Sequence, residues 1–238
     1  MSRRDPLLVA VEGVDGAGKT TLIRGLETVL RPLRGTRPAR VCVEIFRAIA
    51  EPDDTVLHQT VIPGPVRRLA HLIELSAQLR YRTGPDGRPD LLFDRWVQSS
   101  EVHCGPYGEQ HRPWLEHMEA LLPRPNPLLW LRVPPALAYE RMVARGDRRT
   151  RVLTPAALRA HLVEQADGYE KTMARADNVI ELDGTQSREK LLDQAAAAIE
   201  SVAARAGGVS QAGGAVRTGG AVTTPNVLQG PWDVPHGP

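Results

Sequence analysis

The stretch Pro6 to Leu22, PLLVAVEGVDGAGKTTL, constrains this chain more than any other. An apolar run, Leu7 to Val11, passes through a Gly-rich turn into helix-forming sequence. Within it Gly13-Val14-Asp15-Gly16-Ala17-Gly18-Lys19-Thr20 meets the spacing G-x-x-x-x-G-K-[ST] at every fixed position. Glycines let the backbone wrap an anion so that successive N–H groups point inward, and the next helix adds its positive end. Lys19 then reaches the terminal phosphates, and the Thr20 hydroxyl ligates magnesium. An ordinary Gly-rich turn gives no reason for that lysine and threonine between a buried-type strand and a helix. The pattern predicts a nucleoside triphosphate site over Gly13, Val14, Asp15, Gly16, Ala17, Gly18, Lys19, Thr20 and Thr21.

The remaining motifs take their meaning from distance to this loop. Thr20 to Leu33 reads as a helix ended by Pro32 and Gly35, and Arg40 to Phe46 as a second strand. Arg47 closes that strand, at the sheet edge where ligands bind in parallel α/β folds, either as a phosphate or substrate contact or as a solvated arginine. Val66 to Arg82 reads as a helix, and Asp90 to Arg95 as a short apolar strand ending in a charged pair. An aspartate at such a strand end suits two roles, ordering water around magnesium or accepting the acceptor hydroxyl's proton, while Arg95 suits a bidentate phosphate clamp. Trp96 to Glu101 begins a further helix carrying Ser99 and Ser100.

Pro127 to Val133 is another buried-type strand, followed by a helix from Ala136 to Ala144. Arg141, Arg145, Arg148, Arg149 and Arg151 then cluster around a Gly-Asp break. Beside a phosphate loop such a cluster reads as a mobile lid, about residues 145–152, whose arginines neutralise a transferring phosphoryl group; elsewhere it is a solvated face. Thr154 to Arg175 is a long helix capped by Thr154, Asn178 to Leu182 a last strand, and Ser187 to Ala206 a last helix. Five strands with helical crossovers predict a three-layer α/β fold with a five-stranded parallel sheet over residues 1–206, and the phosphate loop makes it a P-loop NTP-binding fold. Residues 207–238, rich in Gly, Pro, Thr and Val without a period, read as a flexible tail.

The order of these motifs resembles the thymidylate kinase family of P-loop nucleoside monophosphate kinases, over roughly Leu7 to Ala206. EGVDGAGKTT (Glu12 to Thr21) is similar to its loop, FDRWVQSS (Phe93 to Ser100) to its D-R-[YH]-x-x-S segment, and LLWLRVPPALAYERMVARG (Leu128 to Gly146) to the strand, proline turn and helix before its lid. EPDDT (Glu51 to Thr55) resembles its E-P-G-G-T turn with aspartates for the glycines. The resemblance implies that Lys19 and the loop amides hold ATP, Thr20 and Asp94 organise Mg2+, and Asp15 touches the acceptor's sugar or phosphate. It further implies that Arg95 holds the acceptor's phosphate, with Ser99 beside it, and that Arg145, Arg148 and Arg149 close over the γ-phosphate. It suggests a homodimer. The departures fall in the acceptor site. The simplest alignment puts Glu74 and Gln78 where the family stacks a phenylalanine on thymine and reads the base with an arginine. His103 and Cys104 replace an aromatic and a glutamine, and Arg132 an aspartate.

The expected activity is therefore transfer of a phosphoryl group from Mg-ATP to a small nucleotide-like acceptor, dTMP or a relative. A deoxynucleoside kinase is the alternative, with Glu44 or Glu51 as base, and a non-catalytic ATP-binding protein is a third reading. No guanine-reading N-K-x-D segment is present. Net charge of +2 is too balanced for nucleic acid as the main partner. Nothing approaches the about 18 apolar residues that span a membrane. Cys42 and Cys104 lie far apart, in no metal or redox spacing, which fits reduced thiols in the cytoplasm.

Overall fold

A computed structural model describes residues 7–34, 37–40, 63–83, 90–104 and 110–209. Strand β1 (Leu8–Glu12) lies at the centre of a five-stranded sheet. On one side it pairs with β3 (Leu91–Asp94) and on the other with β4 (Leu128–Arg132). Strand β2 (Arg37–Arg40) lies beyond β3, and β5 (Val179–Asp183) beyond β4; every pairing is parallel. A parallel sheet covered on both faces needs strands that are apolar throughout rather than alternating. The three inner strands meet that demand: Val9, Ala10, Val11, Leu91, Leu92, Phe93 and Leu128 to Leu131 are all buried.

The second strand starts earlier than its β-branched run suggests. It spans Arg37–Arg40 in register with Leu91 to Asp94, which pairs β3 along its full length. The rest of the expected Arg40–Phe46 strand lies outside the described residues, as do Glu44, Arg47 and the Glu51–Thr55 turn.

The crossovers are helical. α1 (Lys19–Arg34) follows β1, α2 (Gly64–Thr83) precedes β3, and α3 (Val97–Cys104) and α4 (Arg112–Ala120) lie between β3 and β4. Between β4 and β5 come α5 (Pro135–Ala144), the short α6 (Arg149–Val152) and α7 (Pro155–Met173), and α8 (Arg188–Val209) ends the described chain. Helices α1 and α8 pack on each other, while α3 packs between α2 and α7, and α7 continues onto α5. Thr154 caps α7 as expected, its hydroxyl accepting from the Ala157 N–H at 3.2 Å. Two expected helix ends are overrun. Pro32 lies inside α1, in its last turn, and α8 runs through Gly207 and Gly208 to Val209. Among the described residues no helix is long and apolar enough to cross a membrane.

Register fixes where function gathers. Val11 is level with Asp94 and Glu12 with Trp130. The turn after β1, the residues after β3 and the end of β4 therefore share one edge of the sheet.

Candidate active site

The loop between β1 and α1 can exist only with glycine at two points. Gly13 has φ +144° and Gly16 φ +83°, and a Cβ on either would stand 2.5 Å from a main-chain oxygen, of Leu131 and Ala138 respectively. Lys19 folds back over the loop, donating to the carbonyl oxygens of Gly13 at 2.7 Å and Val14 at 2.8 Å. A lysine read from sequence as facing the ligand is thus 6% exposed. Burial, with Arg95 adding to it, brings its ammonium down to about 7 against the pull of Asp15, Asp94 and Glu12. From outside the loop, Arg141 on α5 donates to the Ala17 oxygen at 3.0 Å and the Gly184 oxygen at 2.8 Å. It ties the loop to the turn after β5.

Strand β3 delivers the second half of the site. The Thr20 hydroxyl donates to Asp94 Oδ2 at 3.1 Å. Arg95, with φ +81°, turns its side chain back across the loop and places Nη2 2.5 Å from Asp15 Oδ1. Its Nη1 donates to the Ser99 hydroxyl at 3.0 Å and the Tyr169 hydroxyl at 2.9 Å, and lies 2.9 Å from His103 Nε2. A guanidinium only donates, so His103 Nε2 is the acceptor of that pair, while His103 Nδ1 lies 3.3 Å from Gln165 Nε2. Burial, reinforced by Arg95, holds His103 neutral, well below its usual range.

Asp15 is the meeting point of both halves. Besides Arg95 it pairs with Arg149 of α6, Nη1 to Oδ2 at 2.7 Å. Gln165 of α7 grips it twice, accepting from the Asp15 N–H at 3.0 Å and donating Nε2 to Oδ2 at 2.8 Å. Burial alone would raise this carboxyl; Arg95 above all, with Arg149 and Lys19, holds it well below the usual carboxylate range. It is an anion in the resting protein.

Beneath this layer Glu12, fully buried, accepts from the Trp96 and Ser99 N–H groups at 2.7 and 3.0 Å. It also accepts from the Ser99 hydroxyl at 2.5 Å and the Tyr169 hydroxyl at 3.1 Å. Burial raises its affinity for a proton, opposed by Arg95 and these donors. Glu12 fixes the start of α3, and with it Ser99, relative to β1.

The structure brings Asp15, Lys19, Thr20, Asp94, Arg95, Ser99 and Arg149 together with the loop residues Gly13 to Thr21. Arg145 turns away to Asp147 on the surface, Nε to Oδ2 at 3.1 Å, and Arg148 precedes α6. Glu74 and Gln78 pair with each other on α2, Gln78 Nε2 donating to Glu74 Oε1 at 3.1 Å. Arg47 lies outside the described residues. Arg132 is not in the site at all. It bridges Glu170 at 2.7 Å and Glu181 at 3.2 Å on the surface. Glu12 opens the matched loop and Arg141 the arginine cluster, though the sequence assigned neither a role of its own, while Gln165 and Tyr169 carry no local motif that marks them as part of the site. For Gln165 and Tyr169 a weaker signal existed, since both fall on the inward stripe of α7 with Leu158, Leu162 and Met173.

Thr20 and Asp94 put two hard oxygen donors side by side, the set a magnesium ion takes when waters and phosphate oxygens complete its octahedron. Among the described residues no cluster of three or more His, Cys, Asp or Glu offers a protein-only metal cage.

No family model matches the chain. It is 36% identical over 150 residues to a thymidylate kinase of Xanthomonas oryzae pv. oryzae, a match covering 59% of this chain and 62% of that protein. To a thymidylate kinase of Xylella fastidiosa it is 34% identical over 150 residues, covering 59% of this chain and 68% of the relative. The match thus spans less than two thirds of the Xanthomonas protein. Two solved structures share the fold at low identity. A deoxyadenosine kinase from M. mycoides with bound dATP gives a TM-score of 0.60 at 14% identity, covering 82% of this chain and 100% of that one. The same enzyme with the products dCMP and dCDP gives 0.59 at 16%, with the same coverage.

Proposed function

Because the chain belongs to the thymidylate kinase family, we propose that it transfers the γ-phosphoryl group of ATP to a nucleoside monophosphate, dTMP or a dTMP-like nucleotide. The observation that carries this reading is the convergence of β3 on the phosphate loop, with Thr20 on Asp94 at 3.1 Å and Arg95 on Asp15 at 2.5 Å. A loop that cradles one phosphate chain and a buried arginine facing it across a carboxylate are two anion sites at one sheet edge. That is what transfer between two phosphates needs.

In this reading the loop amides and Lys19 hold the β- and γ-phosphates, and Lys19 exchanges the Gly13 and Val14 oxygens for phosphate oxygens. Arg95 takes the acceptor's phosphate, held in place by Ser99, Tyr169 and His103. Asp15 orients the acceptor and keeps Arg95 and Arg149 aimed inward. The segment of about residues 145–152 acts as a lid: Arg149 already reaches the site, and Arg145 and Arg148 follow on closure. Thr20 and Asp94 hold Mg2+, which neutralises charge on the phosphates when bound. Most of the rate comes from positioning and charge neutralisation rather than covalent chemistry by the protein.

The test is product analysis with Mg-ATP and an acceptor panel. ADP and a nucleoside diphosphate should form in equal amounts from monophosphates, and chelation of magnesium should stop the reaction. Phosphorylation of thymidine in preference to its monophosphate would replace this reading by a deoxynucleoside kinase.

A further inference from the structure

Gln165 puts an amide into the inward stripe of α7, among Leu158, Leu162, Tyr169 and Met173, and is only 2% exposed. An amide buried there is costly unless both its ends are bonded, and both are. Its Oε1 accepts from the Asp15 N–H at 3.0 Å, and its Nε2 donates to Asp15 Oδ2 at 2.8 Å. The orientation is forced. A main-chain N–H only donates and a carboxylate only accepts, so turning the amide over sets donor against donor and acceptor against acceptor. The second Nε2 proton has His161 Nε2 as an acceptor at 2.8 Å, one turn earlier on α7. Burial, reinforced by Arg149, holds that ring below its ordinary value, toward the neutral form that accepts.

Asp15 is held from several sides. Its Oδ1 takes Arg95, which follows β3, and its Oδ2 takes Arg149 of α6. Gln165 bonds Oδ2 as well, so that oxygen has two donors of different kinds. One is a guanidinium, 34% exposed, on a helix of 4 residues. The other is a buried amide on a helix of 19 residues, and it also grips the loop backbone. The loop is thus seated on α5 at Gly16, whose Cβ position meets the Ala138 oxygen, and on α7 at Asp15. When Arg149 leaves for a transferring phosphoryl group, in the lid motion proposed above, Gln165 is the donor that stays on Oδ2.

We propose that Gln165 is the positioning residue for Asp15: it keeps the carboxylate turned on Arg95, and the acceptor's binding place assembled, while Arg149 is away. This rests on the acceptor's phosphate binding at Arg95, as proposed above. Gln165 acts through Asp15 and touches neither substrate. A carboxylate held by one donor samples several orientations, and each further donor removes some of them before the acceptor arrives, which lowers the cost of binding. The effect belongs to the acceptor's half of the site. Among the described residues Gln165 bonds Asp15, with His161 and His103 beside it, and no loop residue from Gly16 to Thr21.

The full-length chain is assayed with Mg-ATP and dTMP, dCMP and dAMP, and KM is measured for the best of these acceptors and for ATP. Gln165→Met matches the side chain in length and removes both bonds without adding charge. Gln165→Leu, which continues the apolar stripe of α7, takes its place if the methionine variant does not fold. Gln165→Glu keeps an acceptor for the Asp15 N–H and replaces only the donor to Oδ2. Both the neutral and the acidic variant should raise the acceptor's KM roughly tenfold or more, the loss expected of one hydrogen bond to a charged group. The KM for ATP should stay within about twofold, since uniform binding of that substrate is untouched. An unchanged acceptor KM in the neutral variant overturns the proposal, and so does a rise confined to Gln165→Glu, which is the added charge at work. The two KM values rising alike in both variants also overturns it, because Gln165 then only shapes the loop. A wild-type chain that turns over none of the three nucleotides overturns the kinase reading itself. Wild-type turnover that the variants share overturns this inference and leaves that reading standing.

Discussion

Lys19 rests as a buried group whose donors are spent on the protein's own carbonyls, with its ammonium brought down to about 7. The sign of the consequence is definite. Between about 7 and the ordinary lysine value of 10.5 the unfolded chain holds a proton on this lysine that the folded chain does not. This group therefore makes stability rise with pH across that window, and its penalty is fully present below it. A bound triphosphate reverses the balance by favouring the charged form. At pH 8 binding of ATP should take up close to one proton, and at pH 6 much less. Titration calorimetry in buffers of different ionisation heat measures this, and a heat independent of buffer at pH 8 would show Lys19 already charged in the empty site. The lysine, its threonine, Asp94 and Arg95 were legible in the sequence because each sits in a short motif. Gln165 and Tyr169 were not. Gln165 meets Asp15 across 150 residues and Tyr169 meets Glu12 across 157, and no local pattern encodes such a pairing.

At the scale of elements the inner strands were plain, since a strand buried on both faces must be a continuous apolar run. The short α6 was hidden within an arginine cluster that reads equally well as loop. The overrun of Pro32 has a similar origin. Propensity marks where a helix can end, and packing of α1 against α8 decides where it does. The phosphate loop allows a sharper statement. Gly16→Ala combines a φ of +83° with a Cβ 2.5 Å from the Ala138 oxygen, while Gly18→Ala shares the strain, at φ +103°, but its nearest neighbour is the Leu131 Cδ2 at 3.9 Å. Strain alone costs about 1–3 kcal/mol. Gly16→Ala should lose clearly more stability than Gly18→Ala in urea denaturation. Equal losses would mean that α5 can retreat from the loop.

For the whole molecule the division of labour is between a sheet that fixes one edge and helices that bring charged side chains to it. The last described helix ends at Val209, and the sequence of residues 210–238 is Gly-, Pro- and Thr-rich without a hydrophobic period. A chain ending at Val209 should keep its turnover and its melting behaviour, with any change in stability within about 0.5 kcal/mol; loss of either would give residues 210–238 a role in the domain. The contacts of Gly13 and Gly16 bear on how such a sequence can drift. Both lean on main-chain oxygens, of Leu131 and Ala138. A main-chain oxygen is present whatever side chain stands at its position. Mutation at 131 or 138 cannot make room for a Cβ, so the restriction is one-sided. The loop is tied to its glycines while the strand and helix beneath it stay free to exchange side chains, and two chains can come to share few residues while folding over the same cradle.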